Sequence, residues 1–223
     1  MLCEAVNIRK TYQSGDKKLD VLRGIDFSLK KGEIVSIIGP SGAGKSTFLH
    51  ILGGLDQPSQ GMVKVDDEEV YRLNDTQRSR LRNRRFGFIF QFYHLLPEFN
   101  ALENVILPLF IRDGRGNPKS YEKKGEEMLE RVGLAGRLTH RPNQLSGGEQ
   151  QRVAIARALV TEPDMVLCDE PTGNLDSVTG KGIVELLIKM NKDHQQTLLI
   201  VTHDESLAEL SDRVLYMRDG LLE

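Results

Sequence analysis

The chain has 223 residues, of which 39% are hydrophobic and 28% charged, a size and composition that suit one domain with a substantial buried core. Its net charge of −2 excludes the bulk basic character that attracts nucleic acid or anionic membranes, and its two cysteines are too few for a disulfide framework. The longest apolar run, residues 105–111, is far shorter than the roughly 20 residues that span a bilayer, and the N-terminus lacks the pattern of a secretory signal. We therefore expect a protein of a reducing, cytosolic compartment that does not cross a membrane by itself.

The first third of the chain is predicted to form short strands. Apolar and polar residues alternate around residues 6–8 and 25–29, and residues 61–65 have the pattern of a half-exposed strand. These strands would form an antiparallel sheet beside the motif that follows. Tyr12 falls in the polar stretch 10–20, where we expect it to be exposed beside a loop. From its position alone, Tyr12 is either an unremarkable surface residue or a platform on which a purine ring stacks.

A glycine-rich loop follows a buried strand. Residues 34–38 form a β-branched run, residues 48–52 are apolar at helical spacing, and the sequence between them matches G-x-x-x-x-G-K-[ST]. Glycine lets the backbone turn its N–H groups onto phosphate oxygens, the lysine adds a positive charge, and the serine hydroxyl is a ligand for Mg²⁺. The alternative is a chance match in an ordinary strand–turn–helix, which the flanking elements disfavour. The residues predicted to bind a nucleotide here are Gly39, Pro40, Ser41, Gly42, Ala43, Gly44, Lys45, Ser46 and Thr47.

An arginine-rich helix is predicted next. Asp75 has the position of a helix cap, and the helix would extend to about Arg84, before a strand at residues 86–90 that ends at Gln91. The arginines are mostly spaced by two, so they do not line one helical face, and no interleaved aromatic residues accompany them. A solvated or partner-facing surface is therefore favoured over a nucleic-acid site. The arginines are Arg78, Arg80, Arg82, Arg84 and Arg85.

From residue 92 to about residue 160 the pattern turns helical. Residues 101–109 form one candidate helix, broken at Pro108, and residues 120–132 form another after a loop at residues 113–118. The economical interpretation is a helical insertion between two strands of a parallel sheet.

Polar residues that suit phosphate chemistry follow two later strands. Asp169 and Glu170 come after a short buried strand, at the edge where ligands of α/β proteins bind, and His203 follows the next strand. Asp169 would hold the water shell of Mg²⁺, and Glu170 would accept a proton from an attacking water while Lys45 stabilises the phosphoryl charge. The alternative for the two carboxylates is a pair of solvated loop acids. His203 is either a γ-phosphate ligand or a surface histidine. A helix at residues 180–191 precedes that last strand, and a hairpin ends the chain.

A second glycine pair opens an apolar helix. Ser146 and Glu149 have the spacing of a capping box, which alone would explain these two residues. Gly147 and Gly148 are costly in a first helical turn, however, and make sense where a phosphate approaches the backbone N–H groups. The residues from Ser146 to Glu149 are therefore predicted to form a second phosphate site.

Together these motifs resemble those of ABC transporter ATP-binding subunits, over nearly the whole chain. The resemblance rests on the glycine-rich loop, the signature Leu-Ser-Gly-Gly-Glu-Gln at residues 145–150, the apolar strand before Asp169 and Glu170, and His203. It implies an α/β P-loop NTPase fold in a single domain, residues 1–223. That fold would have a mixed or parallel core sheet, an N-terminal antiparallel β-subdomain and an α-helical subdomain inserted at roughly residues 92–160. ATP and Mg²⁺ would be held between two copies of the chain, head to tail.

The same resemblance implies roles for individual residues. Tyr12 is similar to the aromatic residue that stacks on adenine, and Gln91 to the glutamine that reaches Mg²⁺ and faces the membrane partner. Glu170 is similar to the catalytic base and His203 to the switch histidine. Asp176 ends the short loop that, in this family, crosses the dimer.

Residues 86–99 and 102–105 narrow the resemblance to the lipoprotein-releasing (LolD-type) branch, although macrolide-exporter and cell-division (FtsE-type) ATPases share much of this stretch. The implied function is ATP hydrolysis at the cytoplasmic face of a bacterial inner membrane, driving separate integral membrane permease subunits that release lipoproteins towards the outer membrane. The alternatives are an efflux ATPase and a division-associated signalling ATPase that transports nothing. A soluble ABC ATPase acting on DNA or the ribosome usually carries a coiled-coil insertion or a second cassette, so no nucleic-acid partner is expected.

Overall fold

The computed structural model describes residues 1–15, 17–114 and 116–223, so Asp16 and Arg115, which fall in predicted loops, lie outside the described residues. Within the described residues the chain forms ten strands and seven α-helices. The strands are β1 (Cys3–Ser14), β2 (Lys17–Leu29), β3 (Ile34–Ile38), β4 (Gln60–Val65), β5 (Glu68–Glu69), β6 (Phe86–Phe90), β7 (Met165–Asp169), β8 (Thr197–Thr202), β9 (Arg213–Arg218) and β10 (Leu221–Leu222). The helices are α1 (Lys45–Leu52), α2 (Asp75–Arg85), α3 (Ala101–Asp113), α4 (Pro118–Arg131), α5 (Gly147–Leu159), α6 (Ser177–His194) and α7 (Glu205–Ala208), with 3₁₀ turns at Val70–Arg72, Ala135–Arg137 and Pro142–Gln144.

The central layer is a six-stranded sheet in the order β10-β9-β3-β8-β7-β6. Strands β9 to β6 pair in parallel, and β10 adds an antiparallel edge through a turn in which Asp219 and Gly220 both have positive φ, as a tight hairpin requires. Strands β3, β7 and β8 are buried almost throughout, which is why their sequences are continuous apolar runs. The carboxyl ends of these three strands therefore meet at one edge, where the glycine-rich loop, Asp169 and His203 begin.

A second, antiparallel sheet has the order β2-β1-β4-β5. The described part of the polar stretch at residues 10–20 belongs to the hairpin of β1 and β2, in which Thr11 pairs with Asp20 and Tyr12 with Leu19. The outer end of this hairpin is exposed on both faces, so backbone pairing holds it without apolar burial. The sequence consequently shows no hydrophobic alternation there.

Between β6 and β7 the described chain is helical, and one prediction about it is wrong. Pro108 does not end α3, which continues to Asp113. A proline inside a helix costs about 3 kcal/mol because it removes one backbone hydrogen bond and crowds the preceding turn. Here Leu109 is fully buried, α3 packs on α4 and α5, and the carbonyl of Pro108 accepts a hydrogen bond from Asn83 at 3.0 Å. Tertiary packing therefore outweighs the local cost.

The cap of α2 also differs from the prediction. Asn74, not Asp75, is the N-cap: its side chain accepts a hydrogen bond from the backbone N–H of Gln77, and Gln77 returns one to the Asn74 backbone. Asp75 is the first helical residue and pairs with Arg78. The two residues are adjacent and have similar capping preferences, so composition alone did not separate them.

Most arginines of α2 are structural, contrary to the solvated or partner-facing surface that was favoured. Arg82 donates to the carbonyl of Gly54 at 2.9 Å, and Arg85 pairs with Asp66 and Asp164. Arg80 and Arg84 remain exposed on the helix. The tertiary partners lie 19 or more positions away in the sequence, where spacing along one helix gives no information about them.

Two apolar layers cover the central sheet. On β7, Val166 and Cys168 belong to the cluster formed with α3, α4, α5 and α6, whereas Met165 and Leu167 belong to the cluster formed with α1 and the antiparallel sheet. This alternation follows from the period of two along a strand. Both faces of the central sheet are thus packed against apolar layers, which hold in place the carboxyl ends of the strands that lead to the glycine-rich loop, Asp169 and His203.

Candidate nucleotide-binding site

The glycine-rich loop connects β3 to α1 and needs its glycines for conformation and for close packing. Gly42 and Gly44 have φ of 81° and 105°, in the left-handed region that favours glycine. A Cβ on Gly39 would overlap the carbonyl oxygen of Met217, and one on Gly44 would lie 2.8 Å from the side chain of Leu22. The loop is therefore held by its neighbours in a shape that only glycine allows.

The N-terminus of α1 is open to a ligand. Gly44 is the N-cap of α1 and no side chain caps the helix, whereas α2, α3, α4, α5 and α6 each begin with a side-chain cap. The first N–H groups of a helix have no partner inside the helix and carry the positive end of its dipole. Because α1 lacks a capping side chain, these groups suit an anion such as phosphate.

Lys45 is folded over the loop. Its side chain is almost fully buried and donates to the carbonyl oxygens of Gly39 at 2.7 Å and Pro40 at 3.1 Å. These two bonds hold the ammonium group beside the loop, where it adds a full positive charge to the partial charges of the backbone N–H groups.

Ser46 and Asp169 meet at the edge of the sheet. The Ser46 hydroxyl donates to Oδ1 of Asp169 at 2.8 Å, and Nε2 of His50 lies 3.8 Å from Oδ2. Burial raises the pKa of Asp169, an effect that the bond from Ser46 and the charge of His50 only partly offset. The described residues hold no cluster of three or more His, Cys, Asp or Glu side chains suited to a metal. One carboxylate and one hydroxyl fit Mg²⁺, which keeps several waters and takes further oxygens from substrate phosphates.

Glu170 and His203 are also brought together. Oε2 of Glu170 lies 2.9 Å from Nδ1 of His203 and accepts a hydrogen bond from Thr202 Oγ1 at 3.1 Å. Glu170 has φ of 47°, a left-handed conformation that is uncommon for a residue other than glycine. Such conformations cluster at functional sites. The side chain of Glu170 is mostly shielded from solvent, at 15% relative exposure, whereas that of His203 is 70% exposed.

Tyr12 and Gln91 lie in different surroundings. The phenol of Tyr12 donates to Oδ2 of Asp56 at 2.6 Å and also bonds to Thr47, so the ring lies beside α1. Gln91 follows β6, and its amide donates to Asn174 at 3.2 Å while Asn174 donates back to the Gln91 carbonyl at 2.9 Å. The described contacts therefore do not bring Gln91 to Ser46 and Asp169, the other two residues predicted to hold the metal.

The capping box at the start of α5 is confirmed. Ser146 Oγ accepts from the N–H of Glu149 at 3.2 Å, and Glu149 Oε2 accepts from the N–H of Ser146 at 2.8 Å. The bond from the Ser146 backbone, and then the bond from Arg137 at 2.8 Å, lower the pKa of Glu149.

The two signature glycines have different surroundings. A Cβ on Gly148 would overlap Cγ2 of Thr179 on α6, so packing within the chain already requires that glycine. Gly147 is half-exposed, and a Cβ there would lie 3.0 Å from the Tyr93 hydroxyl. Among the described residues, no hydrogen bond or ion pair joins residues 146–149 to the glycine-rich loop. One chain thus presents, in separate places, the two features that were predicted to bind phosphate.

Three residues near the site were not anticipated from sequence, and a fourth, Asp176, has a role that was not. His50, Asp56 and Thr202 contact Asp169, Tyr12 and Glu170 respectively, and Asp176 caps α6 by accepting from the N–H groups of Val178 and Thr179. Asp176 itself was expected only as part of a loop between two copies. The capping role had a signal, since an aspartate directly before a helix is a common N-cap. The other three contacts arise from tertiary structure alone.

The fold and this arrangement of loop, carboxylates and signature define a class of protein. The family model for ABC transporters matches residues 22–173, and the chain belongs to the ABC transporter family. The expected P-loop ATPase fold with a second antiparallel sheet and an inserted helical region is thereby confirmed.

Particular relatives cover the chain almost completely. The lipoprotein-releasing system ATP-binding protein LolD of Cytophaga hutchinsonii is 52% identical over 221 residues, which is 99% of this chain and 98% of the relative. LolD of Acinetobacter baylyi is 50% identical, covering 99% of this chain and 96% of the relative.

Solved structures of ABC cassettes are also similar to this chain over almost its whole length. The dimeric, post-hydrolysis ATP-binding cassette MJ0796, bound to ADP and Pi, has a TM-score of 0.92 and 43% identity over 99% of this chain and 96% of that one. Within the ranges that the structure describes, no helix is both long enough and apolar enough to cross a membrane.

Proposed function

We propose that this chain is the ATP-hydrolysing subunit of a lipoprotein-releasing ABC transporter. The observation that carries the proposal is the agreement between the site and the relatives. An uncapped helix N-terminus, a buried lysine and two strand-end carboxylates form a phosphate site in a chain about half identical to LolD proteins over its full length. The names of the relatives support lipoproteins as the cargo, and the geometry of the site supports the binding and hydrolysis of ATP.

The glycine-rich loop is proposed to bind the phosphates of ATP. The open N–H groups of α1 and the ammonium of Lys45 would bind the β- and γ-phosphates, with the purine ring stacked on Tyr12. Binding would replace the bonds from Lys45 to its own loop carbonyls, so little rearrangement of the backbone is needed.

Ser46 and Asp169 are proposed to hold Mg²⁺, Ser46 directly and Asp169 through its water shell. When bound, Mg²⁺ would neutralise charge on the phosphate oxygens. Gln91 is proposed to contact the same ion through Oε1 once the nucleotide is bound, since its side chain is bonded to Asn174 through Nε2 and not through Oε1. Burial raises the pKa of Asp169, and a nearby cation would act in the opposite direction by favouring the charged form.

Glu170 is proposed as the general base and His203 as the residue that orients it. Glu170 would take a proton from a water as the water oxygen bonds to the γ-phosphorus and the bond to the β–γ bridging oxygen breaks, giving ADP and phosphate. His203 and Thr202 already contact one carboxylate oxygen of Glu170, which leaves the other for the water.

A second copy of the chain is proposed to complete the site. Ser146 and the N–H groups of Gly147 and Gly148 lie at the start of α5, and they would meet the γ-phosphate bound by the other copy. Asp176 and the rest of its loop would lie at that interface. Residues 1–223 would then act as one cassette, with the helices inserted at roughly 92–160 carrying the signature.

Integral membrane permease subunits are the proposed partners, with this chain bound to them at the cytoplasmic face of the inner membrane. The decisive experiment isolates the chain with its native membrane partner, reconstitutes the complex in vesicles loaded with an acylated lipoprotein, and adds ATP with Mg²⁺. We expect the lipoprotein to leave the vesicles only with ATP. A complex that hydrolyses ATP without release, and whose partner exports a small molecule instead, would contradict the lipoprotein assignment while leaving the ATPase intact.

A further inference from the structure

The ring proposed to stack on the nucleotide base is already held in place by its neighbours. Tyr12 lies on β1 and is 41% exposed, yet its hydroxyl donates to Oδ2 of Asp56 at 2.6 Å. Oδ1 of the same carboxylate accepts a hydrogen bond from Lys10 at 2.6 Å. We call Lys10, Tyr12 and Asp56 the tyrosine clamp.

Lys10 covers one face of the ring. Its ammonium nitrogen lies 4.7 Å from the centroid of the Tyr12 ring, a cation–π distance, and the residue is only 9% exposed. The ammonium also donates to the carbonyl of Gln57 at 2.6 Å, so three contacts fix its position. Because Lys10 occupies one face of this partly exposed ring, a base would stack on the opposite face.

Asp56 is itself anchored to the end of α1. The hydroxyl of Tyr71 lies 2.5 Å from the carbonyl oxygens of both Asp56 and Ile51, and the N–H of Asp56 donates to the carbonyl of His50. The helix that presents its first N–H groups at the glycine-rich loop therefore also positions, through Asp56, the phenol of Tyr12. The distance between the phosphate site and the ring is fixed by one short helix and one carboxylate.

We infer that Asp56 and Lys10 are positioning residues for nucleotide binding, which hold the Tyr12 ring in its stacking orientation before ATP arrives. The inference rests on the proposed stacking role of Tyr12. A side chain that is ordered in advance loses less conformational freedom on binding, and that loss is worth about a 2- to 10-fold change in affinity per immobilised side chain. The clamp would thus increase affinity for the base of the nucleotide and leave affinity for its phosphates unchanged.

The test measures the dissociation constants of ATP and of inorganic triphosphate for the full chain, four single variants and one double variant, Tyr12→Phe with Asp56→Asn. Tyr12→Phe keeps the aromatic ring and the ion pair of Lys10 with Asp56 but removes the hydroxyl. Asp56→Asn has the same size but offers one acceptor oxygen to two donors. Tyr12→Ala removes the ring, and Tyr216→Phe, on the exposed part of β9, is the matched control.

We expect Tyr12→Phe and Asp56→Asn each to weaken ATP binding about 2- to 10-fold, and to leave triphosphate binding unchanged. The double variant should lose less affinity than the two single losses combined, because both changes break the bond from Tyr12 to Asp56. Tyr216→Phe should match the wild type. An ultraviolet titration gives a spectroscopic check. Burial, and then the bond to Asp56, raise the pKa of the Tyr12 phenol, so Asp56→Asn should lower that pKa. Subtracting the titration curve of Tyr12→Phe isolates the signal of Tyr12 from that of the other tyrosines.

Three results would overturn the inference in distinguishable ways. If Tyr12→Ala weakens ATP binding but Tyr12→Phe and Asp56→Asn bind as the wild type does, the ring stacks without help and the clamp is refuted, while the proposed site stands. If Tyr12→Ala itself binds ATP normally, Tyr12 does not stack and the inference fails together with that proposed role. An equal loss of triphosphate and ATP affinity in Asp56→Asn would also refute the clamp, because it would show a disturbed phosphate loop.

Discussion

Ser146 combines a structural role in its own chain with a proposed catalytic role in the other copy, and substitutions separate the two. As the N-cap of α5, it accepts a hydrogen bond at 3.2 Å from the N–H of Glu149. Losing such a cap costs about 1 kcal/mol, which corresponds to a fall in melting temperature of roughly 2–4 °C for a chain of this size. Asparagine and aspartate cap helices about as well as serine, so Ser146→Asn and Ser146→Asp should leave stability within about 0.5 kcal/mol of the wild type, whereas Ser146→Ala should lose about 1 kcal/mol.

The two capping variants should differ sharply in activity. They have the same size, but Ser146→Asp places a carboxylate where the proposed composite site receives the γ-phosphate, and like charges a few ångströms apart repel by about 4 kcal/mol at an effective dielectric constant near 20. We expect Ser146→Asp to hydrolyse ATP at least about 10-fold more slowly than Ser146→Asn, with ATP binding to the isolated chain unchanged. Melting curves, nucleotide titration and phosphate release measure the three quantities. Equal turnover in the aspartate and asparagine variants would refute a phosphate contact at Ser146 and leave only the cap.

Three further predictions concern the carboxylates and the second signature glycine. Glu170→Gln should bind ATP and accumulate as a dimer on a sizing column while hydrolysis falls about 10²- to 10⁴-fold, and near-normal turnover would show that Glu170 is not the base. Burial raises the pKa of Asp169 above its ordinary 3.8, so its contribution to folding is fully present below that pH and is lost as the pH rises through the folded value. At neutral pH, Asp169→Asn should therefore unfold at a higher temperature than the wild type, although hydrolysis is lost, and the difference in melting temperature should shrink in acid. A lower melting temperature at neutral pH would contradict a raised pKa for Asp169. Gly148→Ala should cost about 1–3 kcal/mol through its clash with Thr179, and adding Thr179→Ser, which removes the clashing methyl, should restore stability. A double variant as unstable as Gly148→Ala would show that the glycine is needed for another reason.

Features of the site that depend on residues close together in the sequence could be predicted from it. The strand before the glycine-rich loop is buried on both faces, so its sequence is a continuous β-branched run that needs no partner to be recognised. The capping box of Ser146 and Glu149 depends on two residues three positions apart. The same locality explains why Asp169, Glu170 and His203 could be assigned to one edge, since parallel strands bring their carboxyl ends together.

Features that depend on distant contacts could not be predicted in this way. The outer half of the β1–β2 hairpin is polar on both faces, so its pairing left no periodic signal. Pro108 was expected to end a helix because the local cost is visible in the sequence and the packing of α3 is not. The bond from Tyr12 to Asp56 joins residues 44 positions apart, and nothing in either segment indicates the other.

The explanation of the signature glycines also changed with the structure. Both were attributed to the approach of a phosphate, but Gly148 is required by Thr179 within the same chain, so only Gly147 retains the original argument undiminished. Two different physical reasons therefore favour glycine in this first helical turn: the approach of a ligand and close packing within the chain. The sequence shows a glycine in either case and does not separate them.

A buried side chain connects the helix that carries the signature to the turn that follows Glu170 in the same chain. Gln151 lies on α5 shortly after the signature, is fully buried, and donates from Nε2 to the carbonyl of Pro171 at 2.6 Å. Pro171 directly follows Glu170, so the helix that offers its N-terminus to the other copy is bonded to the turn that carries its own base. In the head-to-tail dimer proposed above, a displacement of α5 at one site would therefore act on the orientation of Glu170 at the other, because a buried hydrogen bond is costly to break. The carboxylate of Glu170, the proposed base, is held at one oxygen by His203, and the residue that follows Glu170 is held by Gln151 on the helix that carries the signature.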